Sequence, residues 1–276
     1  MLDRYIQNQI DLAGIESHFR CPDNCNAPGC TLADVIVEVT LFDLIRMSLF
    51  LNMPVSSLFF DHCHIGLQDS EFNIRYQRLV IKLKKPCHFL QTKRCRVHSS
   101  KPLNCVLFPE YHQLTDILPE LNRLPVFRLF PCLKGDITIT AERSQALKSL
   151  RHMSRREEAL SFYYLFGTPF FIVDSKPLTR ILKRDNPKKQ PVSIRDYDRC
   201  FEEKLKSTGI FESIRDKISK LDTRAGMEGF YKKLEDDALM RTLLEKMEKP
   251  EVVYILKGEQ FKKIKRNLQR PVIVSM

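Results

Sequence analysis

The chain has 276 residues, of which 43% are hydrophobic, and its 45 lysines and arginines exceed its 34 acidic residues by a net charge of +11. This length and hydrophobic content fit one large domain or two modest ones with a buried core, and they exclude a wholly disordered chain. The charge is uneven, because residues 137–276 carry 30 basic and 20 acidic side chains whereas residues 1–136 carry 15 and 14.

The first predicted elements lie before residue 60. Val35–Val39 has the β-branched composition of a strand, and the hydroxyl of Thr40 can cap the start of a helix. Four apolar residues at helical spacing would then face the core: Leu41, Leu44, Ile45 and Leu49. Pro54 predicts the first turn of another short helix, since proline is tolerated there.

The middle of the chain, residues 74–136, alternates turns with short β-like runs, of which Arg78–Leu83 is the clearest. From residue 137 onwards the pattern is mostly helical. A long helix is predicted over Ala141–Leu165, and its core face comprises Leu147, Leu150, Met153 and Leu160.

The last third contains two further predicted helices and a linker. The polar stretch Lys183–Pro191 is typical of a linker or exposed loop, and Ser193 can cap a helix over Ile194–Lys206. A later segment ends before Pro250 and has apolar residues at helical spacing: Phe230, Leu234, Ala238, Thr242 and Leu243.

Common enzyme signatures are absent from the sequence. The nine glycines form neither a GxGxxG nor a P-loop motif, and neither HExxH nor an EF-hand loop occurs. Residues 1–14 lack the apolar centre of a secretory signal, and the long uncharged runs, residues 47–60 and 161–173, are too short to span a bilayer. We therefore expect a cytoplasmic protein without a membrane segment, whose clustered cysteines bind metal or perform redox chemistry.

The cysteines are concentrated in the first half, which holds eight of the nine. Cys21, Cys25 and Cys30 lie within ten residues, and the prolines and glycine among them predict a tight loop rather than a helix. Three thiols so close together favour a ligand loop over three separate core cysteines, because a buried structural cysteine usually stands alone within an apolar run.

A second group of cysteines, Cys87, Cys95, Cys105 and Cys132, follows at wider spacing. Five basic residues surround these thiols: Lys84, Lys85, Lys93, Arg94 and Arg96. Cationic neighbours favour the thiolate, which is the form that binds metal, although such charges are also typical of an ordinary solvated surface.

Taken in order, these motifs resemble those of the CxxCxxCC cysteine-cluster proteins, also called the YkgJ family. The resemblance covers about residues 20–136, and its most specific block is Pro86–Pro109. The matching residues are Cys21, Cys25, Cys30, Thr40, Asp43, Pro86, Cys87, Phe89, Leu90, Cys95, Pro102, Cys105, Phe108 and Pro109. This sequence departs from the family pattern at Gly29, Lys101 and Val106, where the family usually has a cysteine, an arginine and an arginine.

The resemblance implies a zinc- or iron-chelating domain, often described as an iron–sulfur protein. The resemblance and the cysteine pattern together predict seven ligands: Cys21, Cys25, Cys30, Cys87, Cys95, Cys105 and Cys132. Some members of the family carry the name flagellin lysine N-methylase, so an enzyme is an alternative, although no glycine-rich loop for a methyl donor is visible.

The spacing of the cysteines is compatible with both zinc and an iron–sulfur cluster. Structural zinc sites commonly use two close Cys-x2–4-Cys pairs, and this sequence contains no Cys-x2-Cys. Iron–sulfur clusters also need four ligands but accept irregular spacing, with one from far along the chain. An iron–sulfur cluster and Zn²⁺ are therefore nearly equal expectations, and seven thiols exceed one four-ligand site.

Histidines provide few further ligand candidates. The stretch His62–His64 is expected in a loop after Phe60 as ordinary surface residues. His88 and His98 stand beside predicted ligands and suit hydrogen bonds to them, with His98 the better replacement for a missing thiol.

The basic second half favours solvated surface charge over a binding function. Acidic residues are scattered among its basic ones, and aromatic residues do not interleave with the basic runs, as a base-stacking surface requires. Contact with nucleic acid is the minority alternative, and an acidic protein partner is another.

Together these patterns predict a mainly helical α+β protein. A cysteine-cluster domain over residues 15–136 would fold around its metal, and a basic helical region would follow over residues 137–276. The predicted function is metal binding with a structural and redox-active centre. The alternatives are an iron–sulfur oxidoreductase or lysine N-methylase, and a zinc-stabilised interaction module.

Overall fold

The computed structural model describes residues 1–17, 25–69, 76–114, 125–133, 138–185, 194–257, 260–266 and 268. The protein has a mixed α+β fold in which 62% of the described residues are helical, which confirms the predicted fold class at this level. The helices are α1 (Leu2–Gly14), α2 (Pro28–Thr31), α3 (Leu41–Leu51), α4 (Val55–His62), α5 (Leu103–Leu107), α6 (Glu110–Gln113), α7 (Ala141–Phe166), α8 (Ser175–Asp185), α9 (Ile194–Ser207), α10 (Ile210–Ser219), α11 (Arg224–Leu234) and α12 (Asp237–Glu248). The strands are β1 (Cys63–Asp69), β2 (Tyr76–Leu83), β3 (Leu90–Gln91), β4 (Arg94–Cys95), β5 (Ile172–Asp174), β6 (Val252–Lys257) and β7 (Gln260–Lys265).

The chain folds into two compact units that are interleaved in sequence. Unit 1 consists of Met1–Cys63 and Leu83–Glu157, and unit 2 consists of His64–Lys82 and Glu158–Met276. Residues 64–82 therefore belong to the same compact unit as most of the C-terminal half, whereas the predicted cysteine-cluster domain over residues 15–136 includes them.

Helix α3 of unit 1 begins at the residue that the sequence predicts. The Thr40 hydroxyl accepts a hydrogen bond from the backbone N–H of Asp43, and the Asp43 carboxylate accepts one from the backbone N–H of Thr40. This capping box satisfies two backbone donors that the first turn leaves free. Leu41, Leu44 and Ile45 are fully buried, as predicted.

Two other predictions for this region are wrong. Val35–Val39 is not a strand, because its pairing is limited to a single bridge at Glu38. Leu49 does not face the core and is 41% exposed. The run of buried residues in α3 ends at Ser48, so Leu49 lies in the exposed last turn of the helix.

The sequence predicts a loop up to Cys30, but Cys30 lies in the short helix α2. Pro28 occupies the first turn of α2, where its missing N–H costs nothing, and Cys30 follows within the same helix. The proline that predicts an irregular loop therefore starts a helical turn.

A second part of the unit 1 core forms around α7. Leu147 and Leu150 are fully buried and pack against Leu103, Val106 and Leu107. The long helix matches the predicted range Ala141–Leu165 to within one residue. Its apolar face therefore meets α5, which carries one of the predicted ligands, Cys105.

An ion pair inside unit 1 contacts the last turn of α1. Arg143 and Glu110 are both nearly fully buried, with Nη2 and Oε2 2.6 Å apart. The other guanidinium nitrogen of Arg143 donates to the carbonyl of Ala13 at 3.0 Å. Arg143 thus satisfies a carbonyl that the last turn of α1 leaves without a helical partner.

Unit 2 is built on a five-stranded sheet in the order β1–β2–β5–β6–β7. Strand β5 pairs antiparallel with β2 and parallel with β6, and β6 pairs antiparallel with β7. The rings of Phe171 and Tyr254 stack at 3.8 Å next to the central strands, and Phe201 of α9 contacts Phe261 of β7. Aromatic packing therefore covers one face of this mixed sheet.

The C-terminal half contributes more β-structure than its helical pattern predicts. Strands β5, β6 and β7 all lie after residue 137. The predicted segment from Phe230 to Leu243 is also two helices instead of one, because the Asp236 side chain accepts from the backbone N–H of Leu239 and starts α12 there. The helix over Ile194–Lys206 is confirmed as α9, whereas Ser193 and most of the predicted linker lie outside the described residues.

Within the described ranges, no single helix is long and apolar enough to cross a bilayer. Helices α3 and α4 together meet the length and composition requirement, with a bend of 112° between them.

Candidate functional site

Most of the predicted ligand cysteines can be located in unit 1. Cys30 lies in α2, Cys87 precedes β3, Cys95 ends β4 and Cys105 lies in α5. Cys21 falls outside the described residues. The segments that carry these thiols are distant in sequence, so any site that they form depends on how unit 1 folds.

Cys30 and Cys87 are in direct contact. The backbone N–H of Cys87 donates to the carbonyl oxygen of Cys30 at 2.7 Å, and the two thiols also share a hydrogen bond. The Cys30 thiol donates in that bond, which lowers the pKa of Cys87 to about 6 and raises the pKa of Cys30. The geometry therefore favours one thiolate and one thiol in this pair.

Lys85 places a positive charge beside this pair. Its ammonium group donates to the carbonyl of Gly29, the residue before Cys30. Burial lowers the pKa of Lys85, and the thiols of Cys30, Cys105 and Cys87 act against that shift. A half-buried cation next to several sulfurs stabilises their thiolate forms.

Cys105 and Cys63 are further neighbours of Cys87, of which Cys63 is buried and Cys105 half-buried. Burial raises the pKa of the Cys105 thiol to about 12, and it raises the pKa of Cys63 further above its ordinary value. Both thiols interact electrostatically with Cys87 and with Asp43. Cys87 is thus the thiol with which Cys30, Cys63 and Cys105 all interact.

Cys63 was assigned to an exposed loop from the sequence, and that prediction is wrong. His62 ends α4, Cys63 begins β1, and Cys63 is only 3% exposed. The signal for this was the alternation of Cys63, Ile65 and Leu67, which is the period of a strand with one buried face. The adjacent His62 ring stacks on His88 at 4.5 Å.

Cys95 and Cys132 lie in different surroundings. Cys95 pairs with Leu90 in the two-stranded β3–β4 ladder, and burial raises the pKa of its thiol. Cys132 belongs to an apolar cluster with Phe130 and Leu133. Cys25 is half-buried at the edge of the described part of the cysteine loop.

Helix α3 fixes the segment that leads to Cys105. The Asp43 carboxylate accepts from the backbone N–H of Leu103 at 2.9 Å, and Arg46 donates to the carbonyl of Lys101 at 2.9 Å. Arg46 and Asp43 are paired with each other at 2.6 Å and are almost fully buried. The sequence places Asp43 in the first turn of the helix that Thr40 is predicted to cap, but the contact of Asp43 with the α5 segment arises only in the folded chain.

A complete metal site is not present among the described residues. No group of three or more His, Cys, Asp or Glu side chains in those ranges is arranged to hold a metal ion. The structure therefore brings Cys30 and Cys87 together and places Cys105 and Cys63 near them, and the seven-cysteine ligand set stays a prediction.

One of the basic runs lies on an edge strand of unit 2. Lys262, Lys263 and Lys265 are exposed on β7, which is an edge strand of the sheet. Charged side chains on an edge strand hinder pairing with other chains, which is a sufficient reason for their presence.

Comparisons with known proteins give no assignment for this chain. No protein-family model, curated protein or solved structure matches it. The similarity to the CxxCxxCC cysteine-cluster family therefore stays a prediction from the motifs.

Proposed function

We propose that unit 1 binds a metal through cysteine thiolates, with the Cys30–Cys87 pair as the first two ligands and Cys105 as a third that moves toward them when the metal binds. The observation that carries this proposal is the contact between Cys30 and Cys87, whose thiols meet although α2 and the loop before β3 are far apart in sequence. Isolated structural cysteines would pack separately in apolar surroundings, whereas these two share one polar contact beside Lys85.

The donor chemistry fits zinc and an iron–sulfur cluster equally well. Both are held by thiolates, and both take four ligands in their common sites. Cys25, and Cys21 beyond the described residues, lie in the same cysteine loop as Cys30 and are the candidates for the remaining positions. A bound metal would link α2 to the Cys87 segment and α5, and an iron–sulfur cluster would in addition allow one-electron transfer.

Metal analysis of protein purified without oxygen tests the proposal. Iron with acid-labile sulfide and a visible absorption band would assign an iron–sulfur cluster, and stoichiometric zinc in a colourless sample would assign a zinc site. Protein that contains neither metal and takes up neither on reconstitution would contradict the proposal.

Substitution of single cysteines tests the ligands. Cys87→Ser and Cys105→Ser should each lower the metal affinity about tenfold or more, because each removes a thiolate from the site. Cys200→Ser is the control, since Cys200 is a buried thiol that lies in α9 of unit 2. Metal content should be measured by mass spectrometry after gel filtration, and equal values in all three variants would exclude this ligand set.

A further inference from the structure

The backbone holds Cys30 and Cys87 at a separation that permits a disulfide. The Cys87 nitrogen lies 2.7 Å from the Cys30 oxygen, so bond lengths keep the two α-carbons within about 6.6 Å of each other. Disulfides form where this separation is roughly 4.4–6.8 Å. The two thiols also interact with each other, which lowers the pKa of Cys87 and raises the pKa of Cys30.

The two thiols also have access to solvent. Cys30 and Cys87 are half-buried, as are Cys25, Cys95 and Cys105, whereas Cys63 and Cys132 are buried. A soluble disulfide must reach a sulfur in order to oxidise it, so the pair that is in contact is also open to reaction.

We propose that Cys30 and Cys87 are a redox modification site, which a small-molecule disulfide such as glutathione disulfide converts to an intramolecular disulfide when no metal is bound. One thiolate of the pair attacks a sulfur of glutathione disulfide, which forms a mixed disulfide and releases one glutathione. The other cysteine loses its proton to solvent, attacks the mixed disulfide and releases the second glutathione. Two electrons pass from the two cysteines to glutathione disulfide, and one S–S bond replaces another.

The disulfide would regulate the site of the proposed function. Oxidation removes two thiolates from the ligand set, so metal binding and the disulfide exclude each other. The new bond still joins α2 to the segment before β3, and unit 1 therefore keeps one of the links that the metal would provide. This regulatory role rests on the proposed function, but formation of the disulfide does not.

The test uses the full chain after metal removal with a chelator. The protein is incubated in glutathione buffers of increasing oxidised fraction, free thiols are blocked with N-ethylmaleimide, and tryptic peptides are analysed without reduction. We expect a cross-link between the peptide of residues 21–46 and the peptide that contains Cys87. Dithiothreitol should release both peptides, and prior loading with Zn²⁺ should slow the cross-link at least about tenfold if these thiols hold the metal.

Variants with single cysteine substitutions identify which of the three cysteines in the peptide of residues 21–46 forms the disulfide with Cys87. Cys30→Ser and Cys87→Ser should abolish the cross-link, while Cys25→Ser and Cys200→Ser should retain it. A cross-link that uses Cys25 or Cys105 in place of Cys30, a mixed disulfide with glutathione that does not resolve, or no oxidation at all would overturn the proposal.

The same experiment distinguishes the redox site from the metal site, because each can be present without the other. A Cys30–Cys87 disulfide in a protein that binds no metal would support the redox site and contradict metal binding. Metal uptake by a protein whose metal-free form does not cross-link would support metal binding and contradict the redox site.

Discussion

Glu157 is a glutamate with no exposed surface in the interior of unit 1. Its carboxylate accepts hydrogen bonds from Tyr5 at 2.8 Å, from Gln9 and from Thr40 at 3.1 Å. Burial and the nearby Asp43 raise the pKa of Glu157 to about 7, while Arg46 and the hydrogen bonds from Tyr5 and Gln9 act in the opposite direction.

This pKa predicts a loss of stability between acidic and neutral pH. The unfolded chain releases the Glu157 proton near pH 4.5, but the folded chain keeps it until about pH 7. The free energy of unfolding therefore falls as pH rises through this window and is level above it. Glu157 should contribute a decrease of roughly 2 kcal/mol between pH 5 and pH 8.

Urea unfolding of Glu157→Gln at both pH values checks this contribution. The difference in unfolding free energy between wild type and variant should change by roughly 2 kcal/mol between pH 5 and pH 8, because glutamine cannot titrate. Glu142→Gln is the control, since Glu142 is exposed on the same helix. Parallel pH profiles of wild type and Glu157→Gln would show that Glu157 is ionised in the folded protein throughout.

At the level of elements, unit 2 depends on a close approach between β1 and α9. The Asp198 carboxylate of α9 accepts from the backbone N–H of Leu67 at 2.7 Å and from Lys82 at 2.9 Å. Gly66 leaves room for this contact, because a Cβ at that position would lie 2.6 Å from an Asp198 oxygen. Lys82 is itself buried, so its charge depends on Asp198 for compensation.

Gly66→Ala should therefore destabilise the protein by about 1–3 kcal/mol, since the added methyl group displaces the Asp198 carboxylate. Gly229→Ala is the matched control, because a Cβ at this exposed position in α11 meets no atom within 4 Å. The control should raise stability by up to about 1 kcal/mol, as alanine favours helix. Urea midpoints measure both effects, and equal midpoints would contradict the close approach.

At the scale of the whole molecule, the proposed ligands are confined to one of the two compact units. Cys30, Cys87 and Cys105 all belong to unit 1, and unit 2 has its own sheet and its own apolar core. Because metal binding adds to the folding free energy of the elements that it joins, its removal should loosen unit 1 selectively.

Hydrogen–deuterium exchange before and after chelation measures this selectivity. Amides of α2, β3–β4 and α5 should exchange about tenfold faster or more without metal, whereas those of α9–α11 should keep their rates. The Cys87→Ser variant should match the chelated protein. An equal acceleration in both units would show that the metal stabilises the molecule as a whole.

Local patterns predicted the elements whose cause is local. The helix over Ala141–Leu165, the cap at Thr40 and strand β2 each follow from periodicity or from a side chain close to its backbone partner. Strand β5 was not predicted, because three residues are too few to show a period and it exists only through its pairing with β2 and β6.

The sequence by itself determined which residues are chemically distinctive: a cysteine-rich first half, a basic second half and the helices with a clear apolar face. Only the tertiary structure decided that Cys30 meets Cys87, that Cys63 is buried and that Gly66 lies against Asp198. The reason is that residue type and spacing control hydrogen bonds and periodicity within a few turns, whereas contacts between distant segments depend on how whole elements pack.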